Sequence, residues 1–281
     1  MINSGLSTIL LGLASAAAWG AGDFSGGLAS KRTSAYSVVA ISQFVSLVFL
    51  ILFAFLLPEV NISSQDIILG AIAGVCGAAG LVALYSGLAR GPMGVVAPVT
   101  AVVAAIVPVI FSIFSEGLPH PRQLAGFGIA IAGVWLISQT GENTKFRLGD
   151  LKLPIFAGVG FGIFFILIDR ISDSAIWWPL VSARITSICL VILVALIGRK
   201  LEVPAANQLP IIALAGIFDT GGNAFFALAT RLGRLDISAV LSSLYPAFTV
   251  LLAWIILKER LTTRQWMGVV LVMFAVVLIA F

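Results

Sequence analysis

Long apolar runs alternate with short polar joints from one end of the chain to the other. Broken at charges, prolines and turn residues, the sequence falls into ten blocks, near 7–29, 36–57, 67–89, 95–115, 124–139, 153–171, 176–197, 209–230, 237–257 and 265–281. A helix crosses a bilayer with about 20 predominantly apolar residues, and the shorter blocks can span with tilt or mismatch. The pattern predicts an all-α integral membrane protein with ten transmembrane helices. The first block is kept as a retained helix. Ala16-Ala17-Ala18 resembles a signal cleavage site, but no positively charged stretch precedes it and the apolar run continues to Ala29.

The longest joint leaves five blocks on each side, and the two sets repeat in order. Glu116-Gly117-Leu118, Arg122-Gln123 and Gly126 follow the fourth block, as Glu259-Arg260-Leu261, Arg264-Gln265 and Gly268 follow the ninth. Val95-Val96-Ala97 corresponds to Ile237-Ser238-Ala239, Thr100 to Ser242 and Arg90 to Arg231, and Gly12 and Asp23 keep the separation of Gly158 and Asp169. The expected organisation is a first repeat over 1–140, a central loop over 141–152 and a second repeat over 153–281. An odd number of helices per repeat turns the second copy upside down, giving two inverted five-helix repeats.

Composition agrees with lipid as the main solvent. Of 281 residues 60% are hydrophobic and 10% charged, against about 25% charged in soluble domains. The formal charge of +4 comes from Lys and Arg placed singly or in pairs at the joints, without a basic, aromatic-interleaved patch, so no nucleic-acid partner is expected. Cys76 and Cys189 lie in apolar blocks with no Cys or His at ligand spacing, which predicts neither disulfide, metal nor cofactor. No Gly-Lys-Ser/Thr follows the glycine runs, so they read as close helix packing rather than a phosphate loop. Odd-numbered joints carry eleven Lys and Arg and even-numbered joints four, which puts the odd joints in the cytoplasm and both termini outside.

Two five-helix halves, each with an early glycine-rich helix and each closing on Glu-x-Leu…Gln-x-x-Gly, resemble the EamA family of the drug/metabolite transporter superfamily. The signature reads Glu116-Gly117-Leu118…Gln123-Leu124-Ala125-Gly126 and Glu259-Arg260-Leu261…Gln265-Trp266-Met267-Gly268. The first copy departs from the family pattern at Gly117, where a basic residue is usual, and at Pro119-His120-Pro121, which adds a residue. The resemblance implies a basket in the cell membrane, with helices one to four and six to nine around a central cavity, five and ten outside, and solutes crossing by alternating access. It also implies cytoplasmic termini, against the charge count, which is followed here.

Ionisable groups inside a span cost roughly 2.5–3.5 kcal/mol on insertion scales and mark candidate chemistry. Asp219 lies near the middle of its block, with Asn223 one turn on and Gly216 three residues before. Arg184, in the preceding block, falls within about 5 Å of the same depth if the two helices are antiparallel neighbours, so an ion pair is expected. Such a pair serves either to neutralise two buried charges or to hold a solute or proton. Asp23 is framed by Gly20, Gly22, Gly26 and Gly27; its repeat mate Asp169 adjoins Arg170 and reads as interfacial. Trp19, Gln43, Tyr85 and Tyr245 are candidates to line a polar cavity, with Gln43 and Arg184 as repeat mates facing each other across it.

These features favour a secondary transporter for a small metabolite, amino acid or drug-like solute, with protons as a candidate coupling ion. The alternatives are an intramembrane enzyme and a lipid scramblase or scaffold. An intramembrane protease needs a Ser/His pair or two suitably placed carboxylates. The single histidine, His120, sits between two prolines in a joint, and Asp23 and Asp169 lack a flanking catalytic signature.

Overall fold

The computed structural model describes residues 4–60, 62–90, 93–137, 151–171, 174–257 and 262–280. Residues 138–150, which take in most of the central joint, and the second signature triplet, Glu259-Arg260-Leu261, lie outside them. The described residues form eleven α-helices and no strand. They are α1 Ser4–Ser30, α2 Ala35–Leu56, α3 Ser64–Arg90, α4 Met93–Ser115, α5 Pro121–Ile137, α6 Lys152–Asp169, α7 Trp177–Ile197, α8 Leu209–Leu232, α9 Leu235–Ser242, α10 Tyr245–Leu257 and α11 Thr263–Ala280, with a 3-10 turn at Ala206–Gln208 before α8. Seven spans among the described residues are long and apolar enough to cross a membrane, and Val99–Ser115 and Thr263–Ile279 are shorter apolar helices.

The polarity of the helices is reversed relative to a water-soluble bundle. On α2, Ser42, Gln43 and Ser46 are buried, while Phe44, Val48, Leu52 and Phe55 face outward. Exposed apolar side chains one turn apart fit a hydrocarbon surround, and the polar ones find partners only inside. The protein is a multi-pass membrane protein.

The ninth block departs from expectation. It is not one helix but two, α9 and α10, broken at Ser243-Leu244. Pro246 has no N–H for the Ser242 carbonyl, and its ring crowds the carbonyl four residues back. The chain turns there through tighter bonds, Leu244 N–H to Leu241 O at 3.2 Å and Ala247 N–H to Leu244 O at 2.9 Å.

Helix packing exchanges between the halves. α1 lies along α8 as α6 lies along α3, α4 packs on α6 as α9 and α10 pack on α1, and α3 meets α7 as α8 meets α2. α2 against α7 and α5 against α11 join mates directly. Small residues permit the closest crossings. A Cβ at Gly74 of α3 would collide with the Ala183 carbonyl of α7, and one at Gly216 of α8 with the Ser42 carbonyl of α2.

The joints bind each other in two separate sets. Ser34 N–H donates to Glu202 at 2.8 Å, Thr33 donates to Gln208, and Lys200 Nζ lies 4.9 Å over the Tyr36 ring, all between the first and seventh joints. On the other set, Glu59 accepts from the backbone at Ile176, Trp177 and Trp178, and Arg234 donates to the Glu116 and Gly117 carbonyls. In these contacts odd joints touch odd and even touch even. The signature glutamines cap helices: Gln123 Oε1 accepts from His120 N–H at 3.0 Å before α5, and Gln265 Oε1 from Thr262 N–H at 2.8 Å before α11.

Candidate functional site

A cavity of about 520 Å³ opens between the halves. Its wall draws on α1, α2, α3, α6, α7, α8 and α10; among the described residues α5 and α11 contribute none, as the resemblance implies, but neither does α4, which was expected around the cavity, nor α9. Gln43, Arg184, Asp219 and Asn223 form a polar wall; Phe161, Phe164 and Phe165 of α6, with Leu81 and Gly77, form the apolar one. Trp19, Asp23 and Tyr245 complete the lining.

Arg184 and Asp219 meet beside α2, which packs on both α7 and α8 and which α8 approaches closely where Gly216 lies against the Ser42 carbonyl. Arg184 Nη2 lies 2.5 Å from Asp219 Oδ2. The guanidinium also donates through Nη1 to Gln43 Oε1 at 2.6 Å and through Nε to Ser46 Oγ at 2.9 Å. Gln43 Nε2 donates to Asp219 Oδ2 at 3.2 Å, and Ser187 Oγ to Gln43 Oε1 at 3.2 Å. Asn223 Nδ2 donates to Asp219 Oδ1 at 3.1 Å, and Thr220 Oγ1 to Ser46 Oγ at 2.7 Å. Arg184 is 6% exposed and Gln43 1%. Each charge is therefore both paired and hydrogen-bonded, the condition under which a buried ion pair is tolerated.

Asp23 differs. α1 passes close to α8 at Gly22, whose added Cβ would lie 3.6 Å from Asp219 N, and Asp23 and Asp219 border the same cavity. No hydrogen bond or ion pair engages its carboxyl among the described residues. The Tyr245 hydroxyl, in a side chain 4% exposed, also has no hydrogen-bond partner there. Tyr245 begins α10 just after the break, so the Pro246 interruption sets where its ring enters the cavity. Trp19 stacks on Phe165 with centroids 5.3 Å apart and tilts against Phe226 at 5.8 Å.

Seven of the eight sequence candidates thus border one cavity. Tyr85 does not line it. Its ring is buried over Gly26, where any Cβ would collide with the phenol, one turn beyond Asp23. Asp169 pairs with Arg170 at 3.7 Å and borders a second, smaller cavity with Thr230 and Arg231. The Asp23 and Asp169 carboxyls accordingly face different spaces, and His120 sits exposed in its joint. Ser46, Ser187 and Thr220, which complete the polar cluster, are absent from the sequence candidates. A hydroxyl in an apolar helix commonly bonds its own chain four residues back, so its presence alone gives no signal.

Comparison with known proteins agrees with this architecture. Half of the chain, 138 residues, is 29% identical to an uncharacterised protein of Methanocaldococcus jannaschii, and the match takes in 97% of that protein and 49% of this one. A crystal structure of another protein superposes with a TM-score of 0.79 at 16% sequence identity, covering 97% of this chain and 96% of that one. That likeness is one of fold. The model of the EamA-like transporter family matches twice, over residues 6–139 and 148–281. With two copies of the family unit filling its length, the chain belongs to the EamA-like transporter family, whose members are membrane transporters.

Proposed function

We propose that this protein is a secondary transporter that moves a small organic solute by alternating access through the cavity between its halves. The observation that carries the reading is the placement of the paired Arg184 and Asp219, with unpaired Asp23, on a cavity whose walls come from both repeats. A buried ion pair needs no cavity to be stable, whereas a transport site needs polar groups that border space a solute can fill.

In this reading the chain crosses the membrane ten times, α9 and α10 forming one broken crossing. The halves at 1–140 and 153–281 are inverted copies about an axis in the membrane plane, consistent with the exchange of packing partners between them. Rocking of one half against the other opens the cavity to each side in turn. Asp219, Arg184, Asn223 and Gln43 form its polar centre, with Asp23, Trp19 and Tyr245 bordering the path and Tyr85 supporting it from behind. Protons are the candidate coupling ion, because carboxyls at this depth exchange charge at the least structural cost.

Flux into proteoliposomes, screened over small solutes first selected by thermal stabilisation of the purified protein, tests the proposal. Asp219→Asn should lower flux at least tenfold while leaving membrane expression intact, since the amide replaces the carboxylate at nearly constant volume. Full flux from the double variant Arg184→Leu with Asp219→Leu would remove the site assignment. The absence of flux for every stabilising solute would count against transport itself.

A further inference from the structure

The cavity sorts its polar groups into those already satisfied and those left open. Arg184 donates through Nε to Ser46 and through Nη1 to Gln43, while Nη2 faces Asp219 as an ion pair and makes no hydrogen bond. Asp219 in turn receives Gln43 and Asn223 as well as Arg184. A solute carboxylate or phosphate would have to compete with Asp219 for Arg184, the one cation that lines the cavity among the described residues. Two cavity groups have neither an ion-pair partner nor a hydrogen bond among the described residues: the Asp23 carboxyl and the buried Tyr245 hydroxyl.

Both open groups accept hydrogen bonds, and both border the same cavity. The Tyr85 phenol stands over Gly26, one turn along α1 from Asp23. Beside them stand the π-faces of Trp19, Phe161, Phe164 and Phe165. Aromatic faces attract cations and accommodate flat apolar bodies, and a bound cation supplies the counter-charge that an ionised carboxyl at this depth otherwise lacks.

We propose that the cavity selects an organic monocation carrying N–H donors on an apolar or aromatic body, held by Asp23 and Tyr245 against the aromatic wall. Arg184 acts as the internal partner of Asp219 and not as an anion receptor. This inference rests on the transport reading for its biological role, but its chemistry can be tested by binding alone.

The full chain, purified in nanodiscs, would be titrated with four probes of one shape and different charge. These are phenethylguanidinium, 2-phenylethanol, 3-phenylpropionate and phenylalanine. The guanidinium should bind about tenfold more tightly than each of the others, the scale of one charge-assisted contact. Asp23→Asn should erase that preference without changing the unliganded melting temperature. Tighter binding of the carboxylate or the zwitterion, no binding of the guanidinium, or an unchanged preference in Asp23→Asn would each overturn the assignment. Should the Asn variant not fold, Tyr245→Phe, which removes only a hydroxyl, decides with the wild-type series: weaker guanidinium binding supports the site and unchanged binding overturns it. Flux separates the two readings. Guanidinium binding without flux above protein-free vesicles would remove transport and keep the site's chemistry, while flux of phenylalanine or phenylpropionate alone would do the reverse.

Discussion

At the level of single residues, the polar centre illustrates how depth converts into contact. Arg184 and Asp219 sit at similar distances from one joint, and a rise of 1.5 Å per residue brings them to one level in antiparallel helices. Their 2.5 Å approach is the physical outcome of that arithmetic. Depth says nothing about azimuth, however, and this is why Ser46 and Thr220, which bind the cluster from the sides, leave no mark in the sequence pattern. Tyr85 shows the same limit, since a helical position near Asp23 in depth turned out to face Gly26 rather than the open cavity. The cluster also makes a sharp prediction about charge balance. Arg184→Leu leaves the half-buried Asp219 with only Gln43 and Asn223 as partners; removing one member of a fully buried pair costs about 3–5 kcal/mol, and the partial exposure of Asp219 lowers that here. The single variant should therefore express poorly or melt far lower than wild type in detergent. Arg184→Leu with Asp219→Leu should recover much of that loss, and a double variant no more stable than the single would show that the pair is not coupled.

At the level of elements, the joints carry more structure than their polarity suggests. Glu59 and Glu202 follow the mate helices α2 and α7, and each caps the start of the other's helix. Glu59 holds three backbone N–H groups at the beginning of α7, and Glu202 holds the N–H of Ser34, the residue preceding α2. The four leading N–H groups of a helix have no internal partner, so a carboxylate there satisfies them and complements the helix dipole. In sequence each is an isolated acid in a polar joint, indistinguishable from one that faces water. The signature glutamines were legible as a repeat, but their role as caps of α5 and α11 needed the backbone. Loss of a cap costs about 0.5–2 kcal/mol. Glu59→Ala should accordingly lower the melting temperature measurably by scanning fluorimetry, and more than Glu202→Ala, which forfeits one backbone bond at Ser34 rather than three. Equal shifts in the two variants would contradict the capping account. The break between α9 and α10 was open to prediction from Pro246 alone, yet an unbroken apolar run outweighs one proline when blocks are drawn by hydropathy.

At the scale of the whole molecule, apolar blocks and their doubling made the membrane class and the two-repeat plan readable, because lipid forces every crossing into a long helix with internal hydrogen bonds. Which helices touch is set by side-chain shape across the halves, and no spacing within one half encodes it. The separation of joint contacts into odd and even sets bears on orientation. Lys31, Arg32, Arg199 and Lys200 belong to the first and seventh joints, which Ser34, Thr33 and Tyr36 tie together on one face. The opposite face, where Glu59 and Arg234 make their contacts, holds the fewer cations, Arg122, Arg170, Arg231 and Arg234. Positive charge near the ends of crossings is retained on the cytoplasmic side during insertion, so the richer face is expected inside and both termini outside. A C-terminal alkaline phosphatase fusion, active only outside the cytoplasm, should then be active, and a C-terminal green fluorescent protein exported unfolded should be dark. The opposite pattern in both reporters would place the termini in the cytoplasm. Because the fold is pseudo-symmetric, such a reversal would leave the packing and the site chemistry as described. Replacing Lys31, Arg32, Arg199 and Lys200 together by Gln should shift a fraction of chains toward the reversed reporter pattern, since those four charges supply much of the asymmetry that selects one orientation.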